Sequence, residues 1–151
     1  MSALGIGYMA GKDLEVLVAQ WRASIDVPAT VDGPAAARRV IAALLPVWEL
    51  PALLDTAELV VSELVTNAYL HAPGSDSFEL EIVRRENGVR IGLADGNSIR
   101  PMLRELGGEE PSGRGMSLVA ALASAWGAED HHGGKRVWVD LDLEFDEGDA
   151  R

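Results

Sequence analysis

The chain has 151 residues, 48% of them hydrophobic, enough for one domain with a proper core. Its formal net charge of −11 argues against holding a nucleic-acid backbone on a broad basic surface, while favouring solubility or a basic protein partner. Cysteine is absent, so the sequence offers neither a disulfide nor a thiolate metal site.

The opening segment, MSALGIGYMAGKD, lacks a basic start and a hydrophobic stretch, so no signal peptide is expected. No run approaches the roughly 20 apolar residues of a membrane span. A soluble, cytoplasmic protein is the simplest expectation. Residues 1–20 read as an N-terminal extension with an amphipathic piece around Leu14, Leu17 and Val18: an added helix, a partner contact or a loosely held arm.

Alternation then predicts a strand in WRASIDV, with Trp21, Ala23, Ile25 and Val27 on one side. Residues 34–45 carry Ala37, Val40, Ile41, Leu44 and Leu45 at helical spacing, with Pro34 near the start. A second helix is predicted over about 52–71, ending before Pro73-Gly74. In FELEI, Phe78, Leu80 and Ile82 oppose Glu79 and Glu81; Asn87-Gly88 supplies a hairpin turn, and VRIGLAD returns with Val89, Ile91 and Leu93 inward. A loop at about 96–112 is long enough for a lid or binding loop. A third helix follows at about 115–125, apolar enough to require thorough cover. VWVDLDLEF closes the pattern, with Val137, Val139, Leu141, Leu143 and Phe145 on one face, before a frayed acidic tail at 146–151. The order predicts an α+β fold, a two-layer α/β sandwich: a mixed, mainly antiparallel sheet covered on one face by three helices.

Three polar interruptions stand out. In VSELVTNAYLHA, Glu63, Asn67 and His71 recur at steps of four, about 400° of helical turn, and so form one polar stripe. Leu59, Val60, Leu64, Val65, Ala68 and Leu70 leave the rest of that helix largely apolar. An amide oxygen and a carboxylate suit a hard cation or proton transfer; a solvated seam is the competing explanation. Asp95 shares the parity of Val89, Ile91 and Leu93, so its carboxylate points coreward and requires a donor. A purine's exocyclic amine would serve, as would backbone amides in the Gly96-Asn97-Ser98 turn. Lastly, SGRGMSLV opens a helix with Gly113-Arg114-Gly115, suited to phosphate through backbone N–H groups and the helix dipole, or else an ordinary flexible helix entry.

With these residues the sequence resembles the histidine-kinase-like ATPase superfamily, also called the GHKL or Bergerat fold, and within it the anti-sigma-factor-type serine/threonine kinases of actinobacteria. AELVVSELVTNAYLHA is similar to the family's N-box, LADGNS to its first glycine box, SGRGMSLVAALASAWG to its second and GGKRVWVDL to its closing strand. The likeness covers about 21–145, the ATP-binding domain, leaving 1–20 and 146–151 outside. It implies that Asn67 coordinates Mg²⁺ at the phosphates of ATP and that Glu63 is the general base. It further implies that Asp95 binds the adenine amino group and that Gly113, Arg114, Gly115 and Met116 close around the phosphates. His71 matches the family histidine. Asn97 stands where the family often has glycine and is counted with the nucleotide-binding residues. The closing strand reads Gly134-Lys135-Arg136-Val137 where the family usually supplies threonine near the adenine.

The resemblance thus implies an ATP-binding regulator: a protein serine/threonine kinase acting on an anti-anti-sigma (STAS-type) antagonist and sequestering a sigma factor. It includes neither direct nucleic-acid nor membrane contact and allows a homodimer. The alternative, motivated by the altered positions Asn97 and Arg136, is a non-catalytic interaction module with weak or no nucleotide turnover. A detached catalytic domain of a two-component histidine kinase is a third reading, for which dimerisation helices with a phosphoacceptor histidine are not evident.

Overall fold

The computed structural model describes residues 5–7, 16–19, 21–71, 74–95, 114–132 and 134–143; for 5–7, 16–19, 95 and 114–116 only the backbone is described. The elements are β1 (Gly5–Gly7), β2 (Val16–Ala19), β3 (Arg22–Pro28), α1 (Gly33–Val47), a 3-10 turn (Pro51–Leu53) and α2 (Leu54–His71). They continue with β4 (Ser77–Arg85), β5 (Gly88–Asp95), α3 (Arg114–Leu122), β6 (Ala125–His131) and β7 (Gly134–Asp142). The strands form one seven-stranded sheet in the order β1-β2-β3-β4-β5-β7-β6. Every pairing among the described strands is antiparallel.

Period-two alternation puts one side of each central strand into the core. Ala23, Ile25 and Val27 of β3, Phe78, Leu80 and Ile82 of β4, Val89, Ile91 and Leu93 of β5, and Val137, Val139 and Leu141 of β7 are all buried together. Their cover comes from α1, through Ala37, Val40, Ile41, Leu44 and Leu45, and from α2, through Ala57, Val60, Val61, Leu64, Val65 and Ala68. The α+β sandwich expected from the pattern is the architecture found.

Several local expectations change. In the N-terminal extension, Leu17 and Val18 lie in β2, which pairs with β3, so this stretch is strand and not helix. On α2, Leu59 and Leu70 are 41% and 62% exposed and do not join the apolar surface. The third helix ends at Leu122 and is less covered than its composition suggests: Leu118 and Leu122 are 39% and 38% exposed, whereas Val119 is buried. The described contacts of α3 with another helix are with α2, so one face suffices. The loop at 96–112, Phe145 and residues 146–151 lie outside the described residues.

The β4–β5 turn also differs. Arg85 pairs with Gly88, so the two connecting residues are Glu86 and Asn87. Gly88 is demanded by crowding: a Cβ there would meet the Leu141 carbonyl oxygen at 2.0 Å and the Asp142 Cα at 2.8 Å. Asn87 O accepts the Leu143 N–H at 2.8 Å, which holds β7 close. Gly88→Ala is therefore expected to cost about 1–3 kcal/mol through overpacking, measured by urea unfolding. An unchanged midpoint would refute the crowding.

The opposite side of the sheet carries charge that is answered in place. Arg22 bonds Glu81; Arg85 bonds Asp142 at 2.6 Å; Arg90 grips buried Asp140 with two bonds of 2.7 and 2.9 Å; Arg136 meets Glu81 at 3.1 Å. Asp140, in turn, raises the pKa of Arg90 further, mainly by its hydrogen bond. A depression of about 400 Å³ lies on this side, lined by Arg22, Glu81, Arg90, Arg136 and Trp138 among others. Because its arginines already have carboxylate partners, it leaves little unspent positive field for an anion.

Candidate nucleotide site

The connectivity gathers the conspicuous residues at one end of the sheet. Residues 72–76 are all that separates His71, the last residue of α2, from Ser77, the first of β4. Phe78 then pairs with Asp95, the last residue of β5. The C-terminal half of α2 and the C-terminal end of β5 thus share that end. α3 enters it from the other direction. Its last residue leads into β6, whose Ala125 pairs with Asp140 near the far end of β7. A nine-residue helix spans about 13 Å, so its start at Arg114 faces back toward the Asp95 end. α2 packs against both β5 and α3, which completes the grouping.

On α2, the stripe is real and graded. Asn67 is 6% exposed, while Glu63 and His71 are half-buried. The Asn67 Nδ2 is buried and, among the described residues, has no hydrogen-bond partner. Leaving such a donor unpaired costs about 1–3 kcal/mol, so a solvated seam does not describe this side chain. Leu64, Val65 and Ala68 beside it are buried in the core and fix the helix against rotation.

Asp95 ends β5 with its Cα opposite that of Phe78, which is fully buried. Arg114, Gly115 and Met116 form the first turn of α3, where free N–H groups and the dipole favour an anion. Asn97 and Gly113 lie outside the described residues.

The closing strand corrects one position. Arg136 does not occupy the helix side: it is cross-strand partner to Ala94 and bonds Glu81 and Glu129 on the open side. Lys135, one residue earlier, shares the parity of buried Val137 and takes the helix side. Its Nζ donates to Asp130 Oδ1 at 2.6 Å. That hydrogen bond is the main reason the Asp130 carboxyl sits below its ordinary pKa. Counting parity back from Val137 would have found Lys135 in the sequence.

A family model described as histidine kinase-like ATPase domain matches residues 27–141. None of the curated proteins gives a match to the chain. The matched span runs from the end of β3 to the penultimate residue of β7, taking in α1, α2 and α3 and leaving β1 and β2 outside. On this match over most of its length, the chain belongs to the histidine kinase-like ATPase domain family.

Proposed function

We propose that the chain binds Mg-ATP at the Asp95 end of the sheet and acts as an anti-sigma-factor-type serine/threonine kinase. The single observation that carries the reading is Asn67: a buried amide four residues after Glu63 on the same side of α2, whose Nδ2, unpaired among the described residues, is a donor left for a phosphate oxygen while its Oδ1 can serve a cation. Few protein oxygens at the stripe suit Mg²⁺, which keeps waters and phosphate oxygens as its other ligands. The cation's chemistry, when bound, is to neutralise charge on the phosphates.

In this reading Asn67 supplies an amide oxygen to the cation, and Asp95 accepts from the base's amino group. Arg114 and the first N–H groups of α3 receive the phosphates. Glu63, half-buried one helical turn before Asn67 on α2, takes the proton of an incoming serine or threonine hydroxyl of an anti-anti-sigma antagonist. Transfer of this kind depends mainly on positioning and electrostatics. Glu63→Ala is expected to slow phosphorylation of a cognate antagonist by roughly 10²–10⁴-fold, the usual contribution of a general base, with ATP affinity little changed. The assay is radiolabel transfer from ATP; an unchanged rate would remove Glu63 from this role.

One observation favours the other reading, a non-catalytic interaction module. Lys135 replaces the hydroxyl that the family usually sets beside the adenine, and a weakly held nucleotide would serve only to shape the surface that meets a sigma factor. The two separate cleanly: a module yields no phosphorylated partner, whether the wild-type chain or the Glu63→Ala variant is assayed.

A further inference from the structure

The last described residue, Leu143, stands in the wall of an apolar groove of about 370 Å³. The groove is lined by Leu53 of the 3-10 turn and Thr56 of α2, by Ala121 and Leu122 at the end of α3, and by Leu141 and Leu143, among others. Leu53 and Leu141 are buried, whereas Leu122 is 38% exposed. Leu143 is fixed in place: its N–H donates to Asn87 O at 2.8 Å, and its side chain packs against the core.

Beyond Leu143 the sequence continues as Glu144-Phe145-Asp146-Glu147, a lone aromatic residue among acids. Phe145 also continues the alternation of Leu141 and Leu143 along the sequence. Two residues of chain reach at most about 7 Å, so a ring tethered at Leu143 is confined to the neighbourhood of the groove. A tether this short gives an effective concentration on the order of millimolar, against which a second copy at micromolar concentration competes poorly. The chemistry agrees: the carboxylates on either side gain nothing by leaving water, while an aromatic ring under such cover buries about 150–250 Å².

We propose that the groove is the docking site of the chain's own C-terminal segment, with Phe145 as its anchor. The ring closes the end of the seam between α2 and α3 and covers Leu122. It thereby fastens α3 at the end away from Arg114, on an element that packs against α2.

The test is methyl–aromatic NOE spectroscopy on the full wild-type chain, in which Phe145 and the fully buried Phe78 are the only two phenylalanines. The Phe145 ring protons are expected to show NOEs to the methyl groups of Leu53 and Leu122. Mixing labelled with unlabelled chain, with isotope filtering, separates contacts within a molecule from contacts between molecules. Phe145→Ala should lower the thermal midpoint by about 5 °C, and Phe145→Leu, which keeps an apolar anchor, by less. NOEs found only between molecules assign the groove to a second copy and overturn the proposal. Absence of NOEs from Phe145 to the groove overturns it as well, as does an unchanged midpoint in Phe145→Ala.

Discussion

Asn67→Ala is expected to abolish stabilisation by Mg-ATP while leaving the unliganded protein about as stable as wild type. Two terms oppose each other in the unliganded state. Truncation removes packing around a residue that is 6% exposed, but it also removes a buried donor with no partner among the described residues, worth about 1–3 kcal/mol. In the presence of nucleotide the balance is one-sided. Saturation at 100 times the dissociation constant adds about 2.7 kcal/mol to wild type, a shift of several degrees at this size. The variant has no amide oxygen to offer the cation and gains nothing. Thermal midpoints with and without Mg-ATP check both halves. A variant destabilised by several kcal/mol without nucleotide would mean that Asn67 holds the fold, and that its place on the stripe is incidental.

Phe78→Ala carries the largest stability effect expected of a single change. Phe78 is fully buried, pairs with Val27 and Asp95 across two ladders, and lies in the core at the Asp95 end of the sheet. Removing a ring from such a site costs about 3–5 kcal/mol, as lost transfer free energy and as an unfilled cavity. At roughly 2–4 °C per kcal/mol for a chain of this size, the midpoint should fall by about ten degrees. Because its partner in the ladder is Asp95, ATP affinity should fall as well. A loss under about 1 kcal/mol would place Phe78 outside the tightly packed core.

The contrast between these two residues shows what the sequence carries. Phe78, Leu80 and Ile82 announce a strand by period alone, and the structure buries all three. Glu63, Asn67 and His71 announce a shared side of a helix, and only Asn67 proves to be deeply buried. Spacing reports direction; it does not report depth. Depth depends on what packs opposite, which explains the exposed Leu59 and Leu70 and the thinly covered Leu118 and Leu122.

Other features depend on partners distant in sequence. Gly88 looks like half of an Asn-Gly turn, yet it is needed because Leu141 and Asp142 pass so close. The strand at 16–19 has a short apolar pattern that fits helix or strand equally, and its pairing with β3 decides the matter. The ion network of Arg22, Arg85, Arg90 and Arg136 exists only once four strands are side by side. Lys135 is the instructive case. Parity along VWVDLDLEF was sufficient to choose it over Arg136, but its choice of Asp130 needed β6 in place.

The central claim is that this histidine kinase-like ATPase domain holds Mg-ATP against the Asn67 side of α2. Equilibrium dialysis of the wild-type chain against labelled ATP, with magnesium and with chelator, tests it most directly. The account predicts one ATP per chain, bound only with magnesium present and lost in Asn67→Ala. Absence of binding at millimolar ATP, or binding indifferent to both magnesium and Asn67, would contradict it.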